Sequence, residues 1–143
     1  MLAACMGMTL LAGCDSEQQK TFNEAVKDLE QGSYEYALDE FTQSVNNGIS
    51  LAVSYRGIGI CQMRLDNYED AISAFTSALS SDKVSKTMAK DLYLYRATAR
   101  LQAGLLDDAM ADCQTLAQKY EMDADCWFLS GKVALAMDGY DEA

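Results

Sequence analysis

The chain is poor in residues that do chemistry. It contains no histidine, the commonest general base and zinc ligand, and no proline. Gly57-Ile58-Gly59 has the beginning of a phosphate-loop pattern but lies inside an apolar helical period with no strand before it, so it lacks the rest of that fingerprint. Asp107-Asp108 opens a helix, where two carboxylates suit the positive end of the helix dipole. Asp123 and Asp125 flank Ala124 in a loop and could meet a calcium ion, but nothing else in that loop supplies oxygen ligands. No catalytic set and no metal set emerges, no cofactor is expected, and the chain reads as a non-enzyme.

Five cysteines remain to be placed. Cys61 falls on an apolar helix face, where a free thiol behaves as a small hydrophobe. Cys113 and Cys126 fall on neighbouring elements. They read as two packed thiols, or as a disulfide if the compartment is oxidising. Cys5 and Cys14 belong to an uncharged opening run, Met1 to Cys14, too short to cross a bilayer. That run fits the apolar segment of a signal peptide. Its end, Leu11-Ala12-Gly13-Cys14, resembles the bacterial lipobox, although no Lys or Arg precedes it. The resemblance implies cleavage after residue 13, lipid on Cys14 and an extracytoplasmic membrane face, with residues 14–17 as a short tether. Ser16 and Gln19 are spaced as a capping box, which predicts that the first helix starts almost at once.

The elements that would position any site come from a repeat. Around Ala71 lie Gly59 twelve residues before, Tyr68 three before, Phe75 four after and Ala78 seven after. The same spacing finds Ala25, Tyr34, Phe41 and Ser44 around Ala37, then Ala97, Leu106, Cys113 and Leu116 around Ala109, and Gly131 and Tyr140 before Ala143. The marker alanines are 34, 38 and 34 residues apart (71−37, 109−71, 143−109). A constant period of this length signals stacked supersecondary units. Within each unit apolar residues recur at i, i+3, i+4 and i+7, first before and then after a short turn, which predicts two antiparallel helices. Gly59 and Ala71 let the two backbones approach, and Phe75 fills the volume beside them.

The small–small pairs, the Tyr before each marker alanine, the aromatic four after it, and Trp127 with Tyr55 and Tyr93 in the opening aromatic place resemble the tetratricopeptide repeat (TPR) family. The resemblance implies an all-α fold, a right-handed superhelical stack of about three and a half helix pairs. Units span 18–51, 52–89, 90–123 and an incomplete 124–143. Leu106 and Cys113 depart from the pattern in the third unit, and four extra residues sit around Ser81–Thr87 in the second. In the fourth, Ala124–Ala136 is expected as a helix, Asp138-Gly139 as a turn and Tyr140–Ala143 as the start of a helix cut short, so the sequence reads as a fragment.

With no catalytic set, function falls to a surface. In the TPR family the first helices line a concave peptide-binding groove. Here Arg56, Ile60 and Arg64 lie at i, i+4, i+8 with Met63 alongside, and their repeat equivalents are Phe22 and Val26, Leu94 and Thr98, Phe128 and Lys132. Apolar anchors with a few cations suit an acidic or amphipathic peptide. The Lys/Asn clamp that some TPR domains use on chaperone C-termini is absent from these places. A formal charge of −11, from 22 acidic and 11 basic residues, excludes a nucleic-acid footprint. The expectation is a membrane-anchored lipoprotein that scaffolds a protein or peptide partner in the bacterial envelope. The alternatives are an accessory region of a larger enzyme or sensor, and an outer-membrane or pilus assembly lipoprotein.

Overall fold

A computed structural model describes residues 9–141, with side chains from 17 to 139. It is all-helical over these residues, with seven helices: α1 (Thr9–Gln31), α2 (Tyr34–Asn46), α3 (Leu51–Arg64), α4 (Tyr68–Leu79), α5 (Lys86–Gln102), α6 (Leu106–Lys119) and α7 (Ala124–Asp141). Each helix packs on the next, and the first helices of successive units also touch, α1 with α3, α3 with α5 and α5 with α7. That is the expected stack of antiparallel pairs.

One turn geometry, repeated in register, makes the pairs. The amides of Ser33, Asn67 and Leu105 bond back five residues, to the carbonyls of Asp28, Gln62 and Arg100 at 2.8–2.9 Å. The residue before each takes the left-handed conformation: Gly32 at φ 79°, Asp66 at φ 60° and Gly104 at φ 76°. Glycine does so without strain, and aspartate is among the few other residues that tolerate it.

Three apolar clusters form the core along the stack. Ala25, Ala37, Phe41 and Cys61 make the first, Ala71, Phe75, Ala78, Leu92 and Ala99 the central one, and Ala97, Ala109, Cys113, Leu129 and Val133 the last. The close approach expected at Gly59 is present. A Cβ there would overlap the Phe75 ring, and one at Gly57 would overlap Phe41. Cys61, Cys113 and Cys126 are buried free thiols.

Three expectations are corrected. The helical backbone of α1 runs back to Thr9, so Ser16 lies within the helix and not at its start; Leu10, Leu11 and Ala12 are good helix formers and extend the ladder. The third pair starts at Lys86, where the Ser85 hydroxyl accepts from the Met88 amide at 3.1 Å and lengthens α5 into the extra residues. The turn at Asp138-Gly139 is not made, and α7 is helical through to Asp141. Gly139 keeps a helical φ, unlike Gly32 and Gly104, so the ladder runs on through it. Residues 1–8, including Cys5, lie outside the described residues, and the side chains of the lipobox lie outside the described side chains.

Candidate peptide-binding cleft

The first helices of the third and fourth units, α5 and α7, lie side by side on α6. Between them opens a cleft of about 390 Å³, lined by Asp91, Leu94, Tyr95 and Thr98 of α5 and Asp125, Phe128, Leu129 and Lys132 of α7. The two quartets are one quartet displaced by a single repeat (125−91, 128−94, 129−95 and 132−98 are each 34). Each set sits at i, i+3, i+4 and i+7, one helix face, so the repeat itself aims both rows into the same space. The centre is apolar: Leu129 is buried, while Phe128 is 71% exposed and open to a ligand. The rims carry the two carboxylates and Lys132, whose Nζ lies 5.6 Å from the Phe128 ring centroid.

Four of the groove residues expected from the sequence, Leu94, Thr98, Phe128 and Lys132, are thus brought together. Arg56 borders the same region but is engaged: it lies 3.8 Å from the Asp91 carboxylate and 5.3 Å from the Tyr95 ring centroid. Phe22 and Val26 pack on the first core cluster, with Phe22 edge-on to Phe41 at 6.1 Å. Ile60 and Met63 are half-buried against the central cluster. Arg64 is exposed in the last turn of α3. Of the ten residues, four line the cleft, four pack on the core, Arg56 borders the cleft and Arg64 is exposed.

Asp91, Tyr95, Asp125 and Leu129 escaped the sequence reading, although the 34-residue shift that related Leu94 to Phe128 relates them as well. Also missed was a buried ion cluster behind the cleft. The Asp112 carboxylate accepts from Arg96 Nε at 3.0 Å and Nη2 at 2.7 Å, and lies 2.7 Å from Arg100 Nη1. Arg96 also donates to the Thr76 hydroxyl at 3.0 Å and lies 5.3 Å from the Tyr93 ring centroid, so it ties α4, α5 and α6 together. Asp112 is 2% exposed and satisfied by this bidentate geometry. Three separated residues give no local pattern, and a charge on an otherwise apolar face was the available signal.

The loop before α7 does structural work. Asp123 accepts from the Cys126 amide at 3.1 Å as the helix cap and from Lys90 Nζ at 2.6 Å. The Lys90 hydrogen bond, then the Cys126 amide, hold the Asp123 carboxyl well below the usual carboxylate range, and the same contact raises Lys90. Asp123 and Asp125 therefore serve different ends, one a cap and one a cleft rim. Among the described residues no cluster of three His, Cys, Asp or Glu could hold a metal ion, and no helix is long and apolar enough to cross a membrane.

No family model matches the sequence, and no curated protein matches it. Solved structures do. The first TPR domain of human RPAP3 aligns with a TM-score of 0.75 at 17% identity, over 88% of this chain and 96% of that one. The first TPR of Spaghetti (RPAP3), solved bound to the HSP90 peptide SRMEEVD, gives 0.74 at 20% identity, over 86% and 94%. A tetratricopeptide repeat protein from Parabacteroides merdae gives 0.63 at 23% identity, over 91% of this chain and 49% of that one. This chain has the TPR fold.

Proposed function

We propose that the chain is a protein-interaction module that takes a segment of a partner protein into the cleft between α5 and α7. It is held at the extracytoplasmic face of a bacterial membrane by lipid on Cys14. The observation that carries the first part is the duplicated quartet: two rows of equivalent positions, one repeat apart, converge on one cleft with an apolar centre and an exposed ring. Such a surface takes an apolar anchor side chain of an extended or helical segment, while the polar rims fix its direction. The fold supports the reading, since the TPR neighbour quoted above was solved with a bound peptide. That peptide ends in Glu-Glu-Val-Asp. Here Asp91 and Asp125 line the cleft, so an amphipathic segment with a single dominant anchor suits it better than a run of carboxylates.

The anchoring part rests on the lipobox Leu11-Ala12-Gly13-Cys14 and its place after an uncharged run. Two experiments separate the parts. A photo-crosslinker at position 128 in the membrane-borne protein should join one defined segment of a partner. The link should vanish when Thr98→Arg fills the cleft, with the circular dichroism unchanged. The intact mass of the extracted protein should correspond to a chain starting at Cys14 and carrying diacylglycerol or more. An unprocessed chain overturns the anchor and leaves the cleft standing, whereas a crosslink indifferent to Thr98→Arg overturns the cleft.

A further inference from the structure

Both walls of the cleft are ordered along their length. α5 is antiparallel to α6 and α6 to α7, so α5 and α7 run the same way. The first members of the two rows, Asp91 and Asp125, therefore stand at one end of the cleft, and the last, Thr98 and Lys132, at the other. The apolar side chains, Phe128 and Leu129 among them, fill the stretch between. The cleft thus has an acidic end, an apolar middle and a cationic end.

Not every charge there is open to a ligand. Asp91 is matched by Arg56, whose Nη2 lies 3.8 Å from its carboxylate, and the adjacent Lys90 is matched by Asp123 at 2.6 Å. Asp125 is exposed in the first turn of α7 and, among the described residues, has no ion-pair partner. Lys132 is exposed too, and its one close contact, the Phe128 ring face, leaves its N–H donors for a ligand. The Thr98 hydroxyl donates to the Leu94 carbonyl at 2.8 Å, so toward the cleft it offers an acceptor. Asp125 and Lys132 are seven residues apart on one helix (132−125), about 10.5 Å along the axis. An extended chain covers that span in about three residues, at roughly 3.1–3.4 Å each. Two turns of helix about 10 Å across would need roughly twice the 390 Å³ of the cleft.

We propose that the cleft selects an extended segment of a partner protein in which a basic and an acidic residue stand three positions apart with apolar side chains between them. This rests on the cleft being the binding site, and adds what that site reads. The segment's cation meets Asp125, its apolar side chains lie on Phe128 and Leu129, and its carboxylate meets Lys132. A segment charged alike at both positions sets one of them against a like charge. The overall charge of −11 attracts any cationic peptide at long range, so a preference for the mixed segment over a dicationic one comes from the local pattern alone.

Three blocked peptides test this: Ala-Lys-Leu-Leu-Glu-Ala, its twin with Lys at both charged places, and its twin with Glu at both. Binding is read from the amide resonances of Leu94 and Leu129 at about 0.15 M salt, where charges are screened beyond ~8 Å. The unmodified protein should hold the mixed peptide tightest, by about two- to fivefold over either twin. Asp125→Lys should pass first place to the Glu/Glu twin, and Lys132→Asp to the Lys/Lys twin, each at unchanged circular dichroism. A ranking that these two variants leave unchanged, or Lys/Lys first in the unmodified protein, overturns the charge pattern. The cleft itself still stands in that case if Thr98→Phe, an uncharged fill, abolishes the shifts. Shifts that survive Thr98→Phe, or none with any peptide, overturn the cleft and this reading with it.

Discussion

Asp112 is the side chain on which the third unit most depends. It is buried and holds two guanidiniums, Arg96 in bidentate geometry and Arg100 beside it. Removing the carboxylate strands both cations in a mostly dry site, and breaking a buried pair from one side costs about 3–5 kcal/mol. Asp112→Ala should therefore lower the unfolding free energy by about 3 kcal/mol in urea titrations; a loss under ~1 kcal/mol would mean that water reaches both arginines. Burial also governs the thiols. It pushes Cys61 up to about 11, and raises Cys113 and Cys126 by the same cause. The thiolate is the nucleophile, so at pH 8 iodoacetamide should spare all three in the folded protein and label all three in denaturant, read by peptide mass. Asp123 shows the linkage sign. Its carboxyl is depressed below the usual 3.8, so the stabilisation is present above that value and is lost as pH falls through the lower folded value. Trp127 emission, one turn into α7, should stay constant from pH 7 to 5 and change only in strong acid; Asp123→Asn should remove that acid response.

At the scale of the helix, two glycines in the same repeat position should respond with opposite signs. Gly59 is roofed by Phe75, and a methyl there must displace a ring that is itself fully buried. Overpacking of this kind costs about 1–3 kcal/mol. Gly131 has open space, and replacing a mid-helix glycine by alanine gains up to about 1 kcal/mol. Thermal melts of Gly59→Ala and Gly131→Ala should move apart, down and up; movement in the same direction would mean that Gly131 is already covered. The contrast also marks how far the pattern could be read. The marker spacing carried helix pairing and the close approach at Gly59 and Ala71, because each is a local consequence of residue size and period. It could not carry the fate of Asp138-Gly139. Turn-forming residues alone do not reverse a helix, and the packing that stabilises the reversals at Gly32, Asp66 and Gly104 comes from the helix that follows. The lengthened α5 likewise depended on Ser85 finding the Met88 amide, which competed with other plausible starts.

For the molecule as a whole, the groove was expected along four first helices, and the expected residues that line a cleft come from two of them, α5 and α7. Phe22, Val26, Ile60 and Met63 had the right stripe, but a side chain at that position turns into the neighbouring core wherever the adjacent unit offers an apolar cluster. Between α5 and α7 equivalent rows face each other across a cleft, and sequence spacing records direction along a helix without the gap between helices. The same end-to-end organisation governs stability. Units touch only their neighbours, so a nearest-neighbour chain of interactions should open from its less covered end. α3 to α5 are flanked on both sides and share the central cluster around Ala71, Phe75 and Leu92. Among the described residues α7 packs only on α5 and α6, and it leaves Trp127, Phe128 and Leu135 to solvent. Hydrogen exchange followed by peptide mass should thus find the amides of α3 and α4 protected to the global limit. Those of Ala134 to Asp138 should exchange by local opening about ten- to a hundredfold faster, a gap of about 1.4–2.7 kcal/mol. Uniform protection from α3 through α7 in the free protein would show a single cooperative unit and remove the basis for treating α7 as the loosely held end.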